Sequence, residues 1–112
     1  MILTVVTLVW MHFFADFMCQ WDKMAISKSS SNKWLSLHVT IYAAPFLILC
    51  GWQFAAVNFA AHWVTDFVTS RAASALWKRN ERHWFFVVIG VDQAIHMSCL
   101  ILTIPLIHWL SV

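Results

Sequence analysis

Every lysine and arginine of this 112-residue chain falls in one of two short segments. Lys23, Lys28 and Lys33 lie in the Ser-rich stretch 22–33, and Arg71, Lys78, Arg79 and Arg82 lie in 70–83. Around them run four apolar stretches, 1–21, 34–52, 54–69 and 84–110. Charged residues make up only 11% of the chain, against about 25% in an ordinary soluble domain, while 62% is apolar. So little polar surface cannot cover a water-exposed shell, and lipid is the expected solvent. The chain therefore reads as an all-α membrane protein, one domain of four transmembrane helices arranged as two parallel helical hairpins in a bundle.

Length supports this reading unevenly. A spanning helix needs about 20 residues, which the first, second and fourth stretches supply. The third is short and is interrupted by Asn58, His62 and Asp66. A tight turn at Gly51, Trp52 and Gln53 leaves it little alternative to a helical hairpin with the second. Asn32 is expected to cap the second helix, and 70–83 to form a short helix at the membrane surface.

With all four stretches spanning, both basic segments share one side and the Gly51 turn shares the other with both chain ends. The positive-inside rule then places the basic segments in the cytoplasm and both termini outside. Trp21, Trp34, Trp77 and Trp84 fall at the cytoplasmic interface, Trp52 and Trp109 at the outer one, as amphipathic rings prefer. Trp10 and Trp63 lie deeper and are expected to pack against neighbouring helices. The first stretch lacks a basic leader and a small-residue cleavage site, which argues against a cleaved signal peptide. Cys19, Cys50 and Cys99 sit in apolar runs, as small helix residues rather than a disulfide framework. A net charge of +2, with no basic cluster interleaved with aromatics, gives no support to nucleic acid as a partner.

The spans carry polar residues in stripes. His12, Asp16 and Gln20 recur at four-residue spacing on the first, and Asn58, His62 and Asp66 do so on the third. Asp92, Gln93 and His96 cluster on the fourth, and His38 stands one turn before Tyr42 on the second. Residues four apart share a helix face. Counted from the basic segments, at about 1.5 Å per residue, Asp16, His38, Asp66 and Asp92 lie at overlapping depth, with His12, His62 and His96 about one turn deeper. An Asp near a helix centre costs about 2.5–3.5 kcal/mol to insert, so three cost on the order of 8 kcal/mol before compensation. Ionisable residues in spans face a bundle interior and mark a site.

Imidazole and carboxylate are ligands for zinc, iron and manganese. The leading expectation is a divalent metal site, zinc first. Its ligands are His12, His62, Asp92 and His96; Asp16 and Asp66 are ligands or catalytic carboxylates, and His38, Asn58, Gln20 and Gln93 complete the polar layer. If the site is catalytic, the reaction is metal-assisted hydrolysis. The alternative is a small proton- or ion-coupled transporter or channel subunit, homo-oligomeric, using the same carboxylates. A third reading makes the layer structural glue in an interaction protein. His83 and His108 read as interfacial. There is no P-loop, G-x-S-x-G or H-E-x-x-H motif.

His12-Phe-Phe-Ala-Asp16-Phe17 and His62-Trp-Val-Thr-Asp66-Phe67 repeat the pattern H-aromatic-x-x-D-F, as a duplicated hairpin would. With Gln20, Leu37-His38, the N-x-x-x-H-x-x-x-D of Asn58–Asp66 and the D-Q-x-x-H of Asp92–His96, the chain resembles the domain-of-unknown-function 3307 family of small membrane proteins from bacteria and tailed phages. That resemblance implies a bacterial cytoplasmic membrane and no particular activity. A looser likeness is to membrane-bound metal-dependent hydrolases, which also gather His and Asp from several helices but carry longer His-rich motifs than this chain. Four spans in so short a chain also resemble the small multidrug-resistance transporters, whose membrane Glu has no counterpart here.

Overall fold

A computed structural model describes residues 1–108, and Trp109, expected at the outer interface, lies outside them. The described residues are helical almost throughout. Helix α1 (Ile2–Phe13) passes into a single π-helical turn, Phe14–Met18; a short α2 (Asp22–Ser27) follows, then α3 (Asn32–Cys50), α4 (Trp52–Lys78), α5 (Arg82–Leu102) and a 3-10 turn, Ile104–Leu106. Helices α1 and α4, which carry the repeated H-aromatic-x-x-D-F pattern, occupy opposite corners of the bundle, each flanked by α3 and α5. α2 packs on α3.

Among the described residues, α3 and α5 are long and apolar enough to cross a membrane, and Ile2–Met18 is a shorter apolar helix. The fourth apolar stretch is not one helix to its end. α5 stops at Leu102, and Pro105, which cannot continue an α-helix, sits in the 3-10 turn. The expected surface helix in 70–83 is instead the continuation of α4, which runs unbroken for 27 residues to Lys78. Ala72, Ala73, Ala75 and Leu76 are strong helix formers, and Arg71 anchors the extension by donating to Phe67 O (3.1 Å) and to Asn32 Oδ1 (2.8 Å).

The cap of α3 is Ser31, whose hydroxyl accepts from Trp34 N–H at 3.4 Å, so Asn32 is the first helical residue rather than the cap. Gly51 alone joins α3 to α4, at a φ of +93° that L side chains rarely adopt. His108 N–H donates to Cys50 O at 2.8 Å, folding the chain back over this turn.

Among the described residues eight polar or charged ones are buried beside the apolar core, including four His and three Asp, while large apolar residues stand exposed on α1, α3, α4 and α5 alike. Trp10 belongs to that outer surface: it is 67% exposed, contrary to the expected packing against a neighbour. Trp63 is half-buried and donates from Nε1 to Ser36 Oγ at 3.1 Å. Above the polar layer, toward the Gly51 turn, Leu8, Phe46, Phe54 and Leu100 form a buried apolar cluster with Tyr42 and Cys50. The three cysteines are free.

Candidate metal centre

Asp16 reaches the layer from the π turn. There Cys19 N–H bonds to Phe14 O, five residues back, at 3.0 Å. Such turns are rare and recur at functional sites. His38 comes from α3, His62 and Asp66 from one face of α4, and Asp92 and His96 from α5, each buried.

The centre of the layer is a close set of four atoms. His38 Nε2 lies 3.1 Å from Asp16 Oδ1, 3.3 Å from Asp66 Oδ2 and 3.2 Å from His62 Nε2. His62 Nε2 lies 3.6 Å from Asp16 Oδ1 and 3.5 Å from Asp66 Oδ2. These are five of the six edges of a tetrahedron. An ion with bonds of about 2.0–2.1 Å in tetrahedral geometry has ligand-to-ligand edges of about 3.3–3.4 Å, inside the observed range. Two imidazole nitrogens facing each other cannot both donate across their own contact, and two carboxylates add only acceptors. A cation satisfies all four at once.

A second set overlaps the first. Asp16, Asp92 and His96 each offer one ligand atom within 4.8 Å of the others. His96 Nε2 is buried and makes no hydrogen bond, although it lies 3.1 Å from Asp92 Oδ1 and 3.5 Å from Asp66 Oδ1. Asp66 thus turns one oxygen toward each set, Oδ2 to His38 and His62, Oδ1 to His96.

The surrounding shell is well defined. Gln93 Nε2 donates to Asp16 Oδ2 (3.3 Å) and to Asp92 Oδ2 (3.0 Å), so its Oε1 is left to accept from His12 Nε2–H at 2.7 Å. His12 Nδ1 then accepts from the Tyr42 hydroxyl at 2.9 Å. Both ring nitrogens of His12, expected as a metal ligand, are engaged in this arrangement, Nε2 with Gln93 and Nδ1 with Tyr42. The ring of His62 is held between Tyr42 and His96, each with its centroid 3.9 Å away.

The expected residues divide accordingly. Asp16, His38, His62 and Asp66 meet in one set, and Asp92 and His96 join through Asp16. Gln93 bridges them. Gln20 lines the adjoining cavity, its Oε1 buried without a partner. Asn58 lies on the stripe but turns away, donating to Phe54 O and to Thr103 Oγ1, each at 2.9 Å. Two contributors carry no mark in the sequence. Lys28 Nζ reaches Asp66 Oδ2 at 3.1 Å, and Thr69 Oγ1 donates to Asp92 Oδ1 at 2.6 Å. Thr69 is three residues beyond Asp66 and so on its helix face, a spacing that flags it only once Asp66 is known to matter.

A cavity of about 530 Å³ opens onto this layer from the end of the bundle that bears the basic segments. Asp16, Asp66, Asp92 and Gln93 line it, with Lys28 and Lys78.

Fold and site together define a helical protein with a buried His/Asp cluster able to hold a metal ion. The family profile described as "Protein of unknown function (DUF3307)" matches residues 3–112. The chain belongs to that family. No curated protein and no solved structure matches it significantly.

Proposed function

We propose that this chain is a four-span protein of the bacterial cytoplasmic membrane that binds a divalent ion, zinc in the first instance, between Asp16, His38, His62 and Asp66. The observation that carries the reading is the close set of four ligand atoms, five of whose six separations are 3.1–3.6 Å, contributed by the π turn, α3 and α4. The exposed apolar residues on α1, α3, α4 and α5 support lipid around all four helices. The location of all seven Lys and Arg supports a cytoplasmic face for the cavity. Asn58, His62 and Asp66 make α4 the most polar of the spans, and all three are buried in the bundle, as polar and ionisable residues within a span require.

A divalent ion in this position supplies Lewis acidity suited to hydrolysis. Asp92, whose Oδ1 accepts from Thr69 and Oδ2 from Gln93 at the cavity wall, lies outside the four-atom set and is the carboxylate placed to act as base toward water. The transporter reading is less well supported, because Leu8, Phe46, Phe54 and Leu100 close the layer toward the Gly51 turn and leave it open at one end.

The test is metal analysis of detergent-purified protein. About one zinc per chain is expected, and little in His38→Ala or Asp66→Asn. A metal-free preparation that regains none on supplementation would overturn the proposal.

A further inference from the structure

The cavity beside the metal centre has two unlike halves. One is polar: Asp16, Asp66 and Asp92 line it with Lys78 and with Lys28, whose Nζ lies 3.1 Å from Asp66 Oδ2. The other is apolar, with Phe17, Ile26, Trp77, Phe85 and Ile89. Of these, Phe17, Ile26, Trp77 and Ile89 are between 37% and 76% exposed, so the apolar wall continues into the outer surface that faces lipid in the four-span arrangement. A volume of about 530 Å³ is in the range of small-molecule sites.

Two buried polar atoms at the cavity lack partners: Ser70 Oγ, a hydroxyl that can donate, and Gln20 Oε1, which can only accept. An oxyanion gives the Ser70 hydroxyl the acceptor it lacks. Charge narrows the choice further. Three carboxylates against two ammonium groups leave the bare cavity with one net negative charge. A divalent ion reverses the sign, so an anion is repelled without metal and attracted with it.

Resting on the metal site argued above, we propose that the cavity receives the phosphorylated headgroup of a membrane amphiphile, its phosphate between the metal centre and the two lysines. A phosphomonoester offers oxygen acceptors to Ser70, Lys28 and Lys78, and its alkyl chain leaves along Phe85 and Ile89. A free phosphate uses only the polar half. The ligand that fills both halves is therefore a lipid phosphate.

The test is calorimetric titration of the zinc-loaded full chain in dodecyl maltoside with dodecyl phosphate. Saturable binding is expected, with inorganic phosphate at least about 100-fold weaker for want of the apolar half. Lys78→Gln, at an exposed position at the end of α4, is expected to weaken binding about tenfold with its zinc content unchanged. Chelation is expected to abolish binding. Equal affinity for inorganic phosphate, equal affinity for dodecyltrimethylammonium, or no effect of Lys78→Gln overturns the inference. Full zinc content without dodecyl phosphate binding overturns it while leaving the metal site standing; absence of zinc overturns both.

Discussion

Replacing Asp66 by Asn separates a metal ligand from a structural carboxylate, because it removes the charge and preserves the shape. Asp66 faces His38, His62 and His96 Nε2 at 3.3, 3.5 and 3.5 Å and Lys28 Nζ at 3.1 Å. If these contacts are only glue, the variant loses the charge assistance of its hydrogen bonds, on the order of 1 kcal/mol. It is also relieved of inserting a carboxylate, which costs about 2.5–3.5 kcal/mol. Stability then changes little or rises, and zinc is irrelevant in both proteins. If Asp66 is a ligand, losing it weakens binding by at least about 100-fold, the upper end of what even supporting residues produce. Zinc at about 1,000 times the wild-type Kd stabilises the folded protein by about 4.1 kcal/mol; at the same concentration the variant is near 10 times its own Kd and gains about 1.4 kcal/mol. Equilibrium unfolding in detergent, with EDTA and with zinc, reads the difference. Equal zinc-dependent stabilisation of the two proteins, or none in the wild type, would refute the reasoning.

Three further outcomes follow from the geometry. Thr69→Val removes the 2.6 Å hydrogen bond to Asp92 and should cost about 1.5–3 kcal/mol, read as a lowered unfolding midpoint in detergent with the helical circular dichroism retained. Gly51→Ala forces an L side chain to a φ of +93° with its Cβ 3.2 Å from His108 Cβ; a loss of about 1–2 kcal/mol is expected, and unchanged stability would contradict the described turn. In a cysteine-free background, Arg79→Cys should react with an impermeant thiol reagent only from the cytoplasmic side and Trp52→Cys only from outside; the reverse pattern, or labelling of both from one side, would break the four-span topology.

The clustering of these polar residues was largely legible because helix periodicity writes itself into spacing. His62 and Asp66, or Asp92 and His96, sit four apart on one face and meet in space as that spacing demands. What spacing does not encode is which partner a side chain chooses. Asn58 shares the stripe yet bonds to Thr103, and His12 shares it yet spends both nitrogens on Gln93 and Tyr42. Lys28 comes from a connection, where no periodicity exists, and only the packing of α2 on α3 brings it to Asp66. The fold was legible from hydropathy except where hydropathy and helix propensity disagree. At Ser70 and Arg71 the apolar signal ends while the backbone continues, so α4 outruns its apolar stretch and ends only at Lys78.

The π turn at Phe14–Met18 gives the first helix a residue to spare. A turn of this kind holds one residue more than an α-turn, and each residue rotates an α-helix by about 100°. Deleting Phe13 or Phe14 would let the segment relax into continuous α-helix without altering its apolar character. The lost residue is the one the wide turn absorbs, so the two halves of the helix would keep their register, and His12 and Asp16, now three apart, would still share a face. A single-codon deletion at this turn should therefore keep the polar layer together, whereas the same deletion within regular α-helix would turn every following side chain by about 100°.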